Sequence, residues 1–367
     1  MKVLFVVADG GGNIPPQLGV ARALSDDGAD VRFLGHRGVG RRVQDAGFPF
    51  ETITLGTDFD PTRRHPIKGV MGGMFGVITD RRIGTEAVEA ARRHGSDVVI
   101  VDMLMVGAIQ EVAAAGIATV VFVHCFYRSV QDVAAGPIGW LLRLRGIPPL
   151  GAERNGALQL VAAREDLDPV RGAPPVRHLG VVWQGMPAAS TRQPVPRVLI
   201  SLSTCAYAGQ RRMMQKILDA VGSLAVQATL TVGPAIDSSA LRIPANVEVH
   251  TWLDHDQVLQ TASVVVGHGG HSTAMRALSF GVPMVVLPAS ALVDQKRVGA
   301  ALQQAGAGIL LPKRSNAQRI RAAVSAVLTD PRYGRAAGRL GEEIRRRDGA
   351  TSAVTAINEF VTNSISR

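Results

Sequence analysis

The stretch that most constrains this chain is residues 262–295, ASVVVGHGGHSTAMRALSFGVPMVVLPASALVDQ. Three consecutive valines at 264–266 read as a strand buried on both faces. They run into a turn of Gly267, His268, Gly269, Gly270 and His271, and a helix is expected to open at Ser272 and Thr273. A second strand over 283–287 and a loop bearing Asp294 and Gln295 follow. A strand feeding a glycine turn and a helix N-terminus makes an anion site. The small residues let backbone N–H groups approach the ligand, and the helix dipole favours negative charge there.

The rest of the chain repeats this alternation. Residues 2–8 (KVLFVVA) form an apolar run of strand length, followed by Gly10, Gly11, Gly12, Asn13, Pro15 and Pro16 and a helical pattern through Leu18, Ala21 and Leu24. The next strand is expected over 31–34, which completes a βαβ opening with its glycine turn where doubly wound folds place ligands. Counted from Gly10 and Gly12, the third small residue of a dinucleotide fingerprint falls on Pro15, which argues against a nicotinamide cofactor. Residues 50–83 read as irregular, with GVMGGMFGVI at 69–78 either a mobile loop lining an apolar pocket or a surface excursion. A helix over 85–94, a strand over 98–101 ending in Asp102, a helix over 107–115 and a strand over 119–123 ending in His124 continue the alternation. Residues 136–165 carry no clear pattern, and 176–182 is strand-like. Residues 184–196, rich in Pro, Ser and Ala, read as a linker. Strands at 197–201, 228–232 and 247–250 and a helix from about Gly209 then rebuild the same pattern, and helices over 317–328, 333–346 and 350–364 close the chain. The fold class is α/β: two doubly wound Rossmann-like domains facing across a cleft. An N-terminal domain over 1–183 and a C-terminal domain over 197–349 are expected, with the last helix packing back on the first.

Composition narrows the partners. The net charge of +10 comes from scattered arginines with no basic run, and only 4% of residues are aromatic, so nucleic acid is not an expected partner. An anionic small substrate, or peripheral contact with an anionic membrane, suits the charge better. The N-terminal apolar run is too short for a signal peptide or a membrane span, and Cys125 and Cys205 form no metal spacing, so a cytoplasmic protein is expected.

At this point the residues resemble a known family. Ser203 and Thr204, Trp252, the run from His268 to Thr273, Ala277 and Leu278, Gly281 to Pro283, Pro288, and Asp294 with Gln295 are similar to the donor domain of GT-B glycosyltransferases. The likeness is greatest to the actinobacterial natural-product transferases related to the UDP-glycosyltransferase superfamily. The first half carries it less fully, through residues 10–16, Asp102 and the strand ending in His124.

The resemblance implies an inverting, metal-independent transfer from a nucleotide-diphosphate sugar to a small apolar acceptor, with no cofactor beyond that co-substrate. It implies that Trp252 stacks on the base while the Leu253 backbone meets its edge. His268, Gly269, Gly270, Ser272 and Thr273 would hold the diphosphate, with Ser203 and Thr204 reaching it. Asp294 and Gln295 would bind sugar hydroxyls. Such donors suit the charge that develops on a leaving diphosphate. Each role has a plainer rival: His268 as a structural histidine, Trp252 as core filling, Ser272 and Thr273 as helix caps. A metal pair with His271 lacks a third ligand. The D-x-D patterns at 58–60 and 254–256 read as solvated loop acids.

Two positions depart from the family. Asn13 stands where close relatives carry the histidine that deprotonates the acceptor, and an amide cannot be a general base. Asp102 as the base, with Asn13 orienting the acceptor, is the reading adopted; His124 or Asp132 taking over, or an acceptor needing little deprotonation, are the alternatives. Arg276 replaces a glutamate that binds ribose hydroxyls, which points to a dTDP-deoxysugar over a UDP-sugar, since thymidine lacks the 2′-hydroxyl. The competing readings are a catalytically silent auxiliary protein that activates a partner transferase, and a transferase acting on a lipid-linked acceptor. A homodimer is left open.

Overall fold

The computed structural model describes the chain apart from Arg64, Pro66, Arg154, Gln184, Ala291, Leu292, Ser366 and Arg367. The chain divides into two compact units: Met1–Pro61, His65–Val182 and Gly349–Arg367 form one, and Thr62–Arg64 with Trp183–Asp348 form the other.

The first unit is built on seven parallel strands: β1 (Lys2–Val7), β2 (Asp30–Gly35), β3 (Phe50–Thr52), β4 (Val98–Asp102), β5 (Thr119–Val123), β6 (Leu158–Val161) and β7 (Val176–His178). Their order is β3-β2-β1-β4-β5-β6-β7, so the chain reverses its direction of progress between β1 and β4. Every residue of β4 and β5 is buried, as an apolar run covered by helices on both faces must be. The covering helices are α1 (Ile14–Asp26), α2 (Arg37–Asp45), α3 (Ile67–Thr79), α4 (Arg81–His94), α5 (Val106–Ala114), α6 (Tyr127–Ala135) and α7 (Pro137–Leu144).

The second unit repeats the plan with β8 (Arg197–Ser201), β9 (Gln227–Thr231), β10 (Val247–His250), β11 (Val264–Gly267), β12 (Met284–Val286) and β13 (Gly308–Leu310). Their order is β10-β9-β8-β11-β12-β13, with the reversal between β8 and β11. Its helices are α8 (Gln210–Val221), α9 (His255–Leu259), α10 (His271–Ser279), α11 (Gln295–Gln304), α12 (Ala317–Thr329) and α13 (Pro331–Arg345). The last helix, α14 (Gly349–Ile365), belongs to the first unit, where Ala350, Ala353, Ala356 and Ile357 join the core formed by Val3, Val20 and Leu24. In doubly wound sheets ligands bind outside the carboxyl ends of the strands flanking such a reversal. That places the ends of β1 and β4, and of β8 and β11, under scrutiny.

Several elements differ from the sequence expectation. The glycine-rich stretch expected to be irregular is helix α3. Its glycines at 69, 72, 73 and 76 recur at helical spacing, and a Cβ on Gly73 would lie 2.1 Å from the Phe59 ring while one on Gly76 would lie 2.7 Å from Thr57. Gly73 and Gly76 are there because the 57–59 segment packs directly on the helix backbone. Helix α4 starts at residue 81, four residues earlier than expected, because Asp80 caps it by accepting the Arg82 N–H. Asp294 and Gln295 are not on a loop: Asp294 occupies the N-cap position of α11 and Gln295 is its first residue. The stretch read as a linker begins on Gln184, outside the described residues. Further on it contains no helix or strand yet is tied to the second unit, Ser190 donating its N–H to the Phe280 carbonyl at 2.9 Å and Thr191 to that of Gln260 at 2.8 Å.

Neighbouring positions of α3 should respond with opposite signs. Gly72 has open space where a Cβ would go, so Gly72→Ala should stabilise the protein by about 0.5–1 kcal/mol through helix propensity alone. Gly73→Ala should destabilise it by about 1–3 kcal/mol by driving into Phe59. Thermal melts of the two variants check this, and shifts in the same direction would refute the packing.

Candidate active site

In the second unit the geometry is set by places where no side chain fits. A Cβ on Gly267, at the end of β11, would lie 2.6 Å from the Ser201 carbonyl of β8. Gly269 has φ +78°, and a Cβ there would lie 2.6 Å from Val286 Cγ1 and 2.9 Å from the Gln295 carbonyl oxygen. A Cβ on Gly270 would meet His268 Nε2 at 2.6 Å. The turn therefore needs its glycines, and the imidazole of His268 lies against it.

Helix α10 begins at His271, one residue earlier than expected, with Gly270, which has no side chain to cap it, at its N-cap. Ser272 and Thr273 lie in the first turn, inside the helix and not at its N-cap. A helix N-terminus with glycine at its N-cap, at the carboxyl end of a central strand, is suited to an anion. His268 is 7% exposed; burial pushes its imidazole down to about 4, against the weaker pull of the Ser201 backbone and Asp294. At neutral pH it is uncharged.

Around this turn, Ser203 is buried and its hydroxyl accepts the Cys205 N–H at 3.0 Å, while Thr204 is exposed. Trp252 is 77% exposed, which removes core filling as its role, and Leu253 beside it is half-buried. Asp294 and Gln295 are both buried. Asp294 Oδ2 lies 3.2 Å from His271 Nδ1, and Gln295 Oε1 accepts the N–H groups of Ala289 at 2.7 Å and Ser290 at 3.0 Å. Much of their hydrogen-bonding capacity is thus spent inside the protein. Tyr207, which sequence reasoning missed, hydrogen-bonds with Ser203 and Gln295, and burial pushes its phenol up. Its ring centroid lies 6.5 Å from that of His268. It sits in a small-residue loop with no periodicity to single it out.

The acids at 254 and 256 are not simply solvated, as expected, but form ion pairs with Arg276. Asp254 also caps α9, accepting the Asp256 N–H at 3.1 Å. His255 between them is pushed down to about 4 by burial and by Arg276.

In the first unit Asp102, at the end of β4, has no exposed surface. Its Oδ2 accepts the Asn13 amide at 2.7 Å and the Gln17 amide at 2.6 Å, and lies 3.4 Å from His124 Nδ1; its Oδ1 accepts the Leu104 N–H at 2.9 Å. Burial alone would push this carboxyl up. His124, the Leu104 N–H and Asn13 outweigh burial and hold it below the usual carboxylate range. Asn13 is locked as well, its amide donating to the Ala8 carbonyl at 2.8 Å and its Oδ1 accepting the Gly10 N–H at 2.9 Å.

These contacts weigh against Asp102 as the base and against Asn13 as the group that orients the acceptor, and leave both roles to the proposal below. A carboxylate with no surface and this many donors cannot reach a substrate proton, and Asn13, 1% exposed, points its amide at Asp102. What Asp102 does face is His124, at the end of β5, whose side chain is 15% exposed. Asp132 is ion-paired with Arg128 and Arg171, both at 3.3 Å. Gln17 was overlooked, although it lies one helical turn after Asn13, on the same face of the chain's first helix.

The buried histidines fix a pH dependence. A folded-state value below the ordinary 6.5 means that the unfolded chain binds more protons. The stability conferred by neutral His268 and His255 is therefore fully present above pH 6.5 and is lost as the pH falls towards about 4. Each should cost about 3 kcal/mol by the end of that window. Thermal melts between pH 7 and pH 4 should fall steeply, and less so for His268→Gln; a flat profile would contradict the burial.

Comparison with known proteins follows the same geometry. Residues 215–360 match the family described as erythromycin biosynthesis protein CIII-like, C-terminal domain. Tylactone mycaminosyltransferase of Streptomyces fradiae is 31% identical over 229 residues, 58% of this chain and 50% of that protein. The chain spans about half the length of that relative and of the Mycobacterium tuberculosis PGL/p-HBAD biosynthesis glycosyltransferase that it also matches. The 4′-demethylrebeccamycin synthase of Lentzea aerocolonigenes is 27% identical over 98% of this chain and 99% of its own. Among solved structures, spinosyn rhamnosyltransferase complexed with thymidine diphosphate superposes with a TM-score of 0.72 at 20% identity, covering 98% of this chain and 100% of that one. The chain thus has the GT-B fold, matches the erythromycin biosynthesis protein CIII-like C-terminal family over residues 215–360, and is similar to natural-product glycosyltransferases.

Proposed function

We propose that this protein is a cytoplasmic glycosyltransferase that moves a deoxysugar from a dTDP-sugar to a small apolar acceptor, with inversion and with no metal or other cofactor. The observation that carries this reading is the N-terminus of α10, with glycine at its N-cap, behind a turn that only glycine can form and that His268 closes. It is a pre-aligned set of backbone donors for a diphosphate. As the anomeric C–O bond breaks, negative charge grows on the leaving oxygen, and fixed donors in a water-poor site stabilise that charge without reorganising. Among the described residues no cluster of His, Cys, Asp and Glu is arranged to hold a metal ion, so this proposal gives the neutralising role to the protein's own groups. Trp252 offers the flat apolar face that a nucleobase needs.

The acceptor hydroxyl must lose a proton as its oxygen attacks. In this reading His124 takes it, with Asp102 fixing the ring through Nδ1 and stabilising the imidazolium that forms. Asn13 and Gln17 hold Asp102 in place. Asn13 also supports a second reading, a silent auxiliary protein, because it stands where relatives carry their base. Purified protein turning over a dTDP-sugar by itself decides between the two.

In an active preparation, His124→Gln should lower turnover about a hundredfold or more while leaving dTDP affinity unchanged. Asp102→Asn should lower it in the same direction and shift the pH profile. Near-full turnover by His124→Gln would remove it as the base.

Arg276, engaged by Asp254 and Asp256, offers no acceptor for ribose hydroxyls, so a donor lacking the 2′-hydroxyl loses least. The spinosyn rhamnosyltransferase, which shares the fold, is complexed with thymidine diphosphate. Calorimetry should find dTDP bound more tightly than UDP; the reverse order would refute the preference.

A further inference from the structure

Among the described residues nine large apolar side chains are exposed, and three of them belong to the eight-residue helix α7: Trp140 at 62%, Leu141 at 40% and Leu144 at 64%. The others, at positions 55, 186, 195, 243, 252 and 293, are scattered. The inner face of α7 is accounted for. Leu142 is buried, and a Cβ on Gly139 would lie 2.0 Å from the Ala134 carbonyl oxygen, so the helix is pressed against the end of α6. Trp140 and Leu144, one turn apart, form a ridge on the opposite side.

The surroundings of the ridge are basic. Arg143 anchors its guanidinium on the Ala134 carbonyl at 2.8 Å, and that of Arg145 stacks over the Phe75 ring at 4.8 Å. Arg81 reaches the Gly146 carbonyl at 3.4 Å, sharing its charge with Glu111. From residue 133 to residue 152 the sequence contains no Asp or Glu. A tryptophan–leucine ridge rimmed by arginines, on a chain of net charge +10, is complementary to a surface that is apolar beneath and anionic on top. A second copy fits less well, because a symmetric contact through this patch would set Arg143 and Arg145 against their own images.

We propose that α7 docks the protein on an anionic phospholipid bilayer, with Trp140 and Leu144 entering the interface and Arg143 and Arg145 meeting the headgroups. The contact is peripheral: no described helix is long and apolar enough to cross a membrane. One short ridge gives reversible, salt-sensitive attachment.

Co-sedimentation of the full chain with vesicles tests this, using phosphatidylcholine alone and phosphatidylcholine mixed with phosphatidylglycerol. The wild type should pellet with the mixed vesicles at low salt, stay soluble with phosphatidylcholine alone, and be released by high salt. Trp140→Ser combined with Leu144→Ser should bind roughly tenfold less, with an unchanged melting temperature because both positions are exposed. Absence of wild-type binding, or equal binding by the double variant, overturns the proposal. So does light scattering that shows a wild-type dimer split by the double substitution, which would assign the ridge to a second copy.

Discussion

The first unit depends on keeping a charge where water cannot reach it. Asp102 has no exposed surface, and its carboxylate survives because donors from four parts of the chain converge on it: Asn13 at the head of α1, Gln17 a turn later, the Leu104 N–H and His124 at the end of β5. An unpaired buried carboxylate would be far too costly, and removing one partner of such a group leaves the rest uncompensated. The network therefore fixes the positions of α1, β4 and β5 relative to one another at the reversal of the sheet. It also accounts for the polar residues at 13 and 17 in a helix whose other inward positions, Val20, Ala21 and Leu24, are apolar.

In the proposed reaction the same network lets an amide stand at position 13. An amide at position 13 keeps the hydrogen bond to Asp102 but cannot accept a proton. The carboxylate is still oriented, and the one imidazole it faces comes from a different strand. In that proposal the buried acid orients the ring, and the partly exposed ring meets the substrate.

The alternation of strands and helices was legible because each buried parallel strand is a short apolar run, and both sheets follow from that pattern. The turn at 267–270 was legible for the opposite reason, since glycines crowded between two strands and a helix have few other uses. What escaped detection lacked such signals. Helix α3 is masked by the glycines that let Phe59 pack on it, and α11 hides behind two residues whose polar character suggested a loop. The burial of Asp102 and the ion pairs of Arg276 with Asp254 and Asp256 are long-range facts, set by which strand ends meet. No local window contains both partners. Tyr207 and Gln17 were missed for the same reason.

Each unit holds a carboxylate against an imidazole near the carboxyl ends of its strands, and the surroundings give the two pairs different characters. Asp102 and His124 meet among amide donors that stabilise the anion and help hold the carboxyl below its usual range. Asp294 and His271 meet at the first residue of α10, where the helix dipole supplies positive potential. His268, on the same turn, is driven neutral by burial. The second unit thus offers an anion oriented dipoles more than fixed positive charge. In the proposed reaction such a site would hold the diphosphate through geometry and release it afterwards.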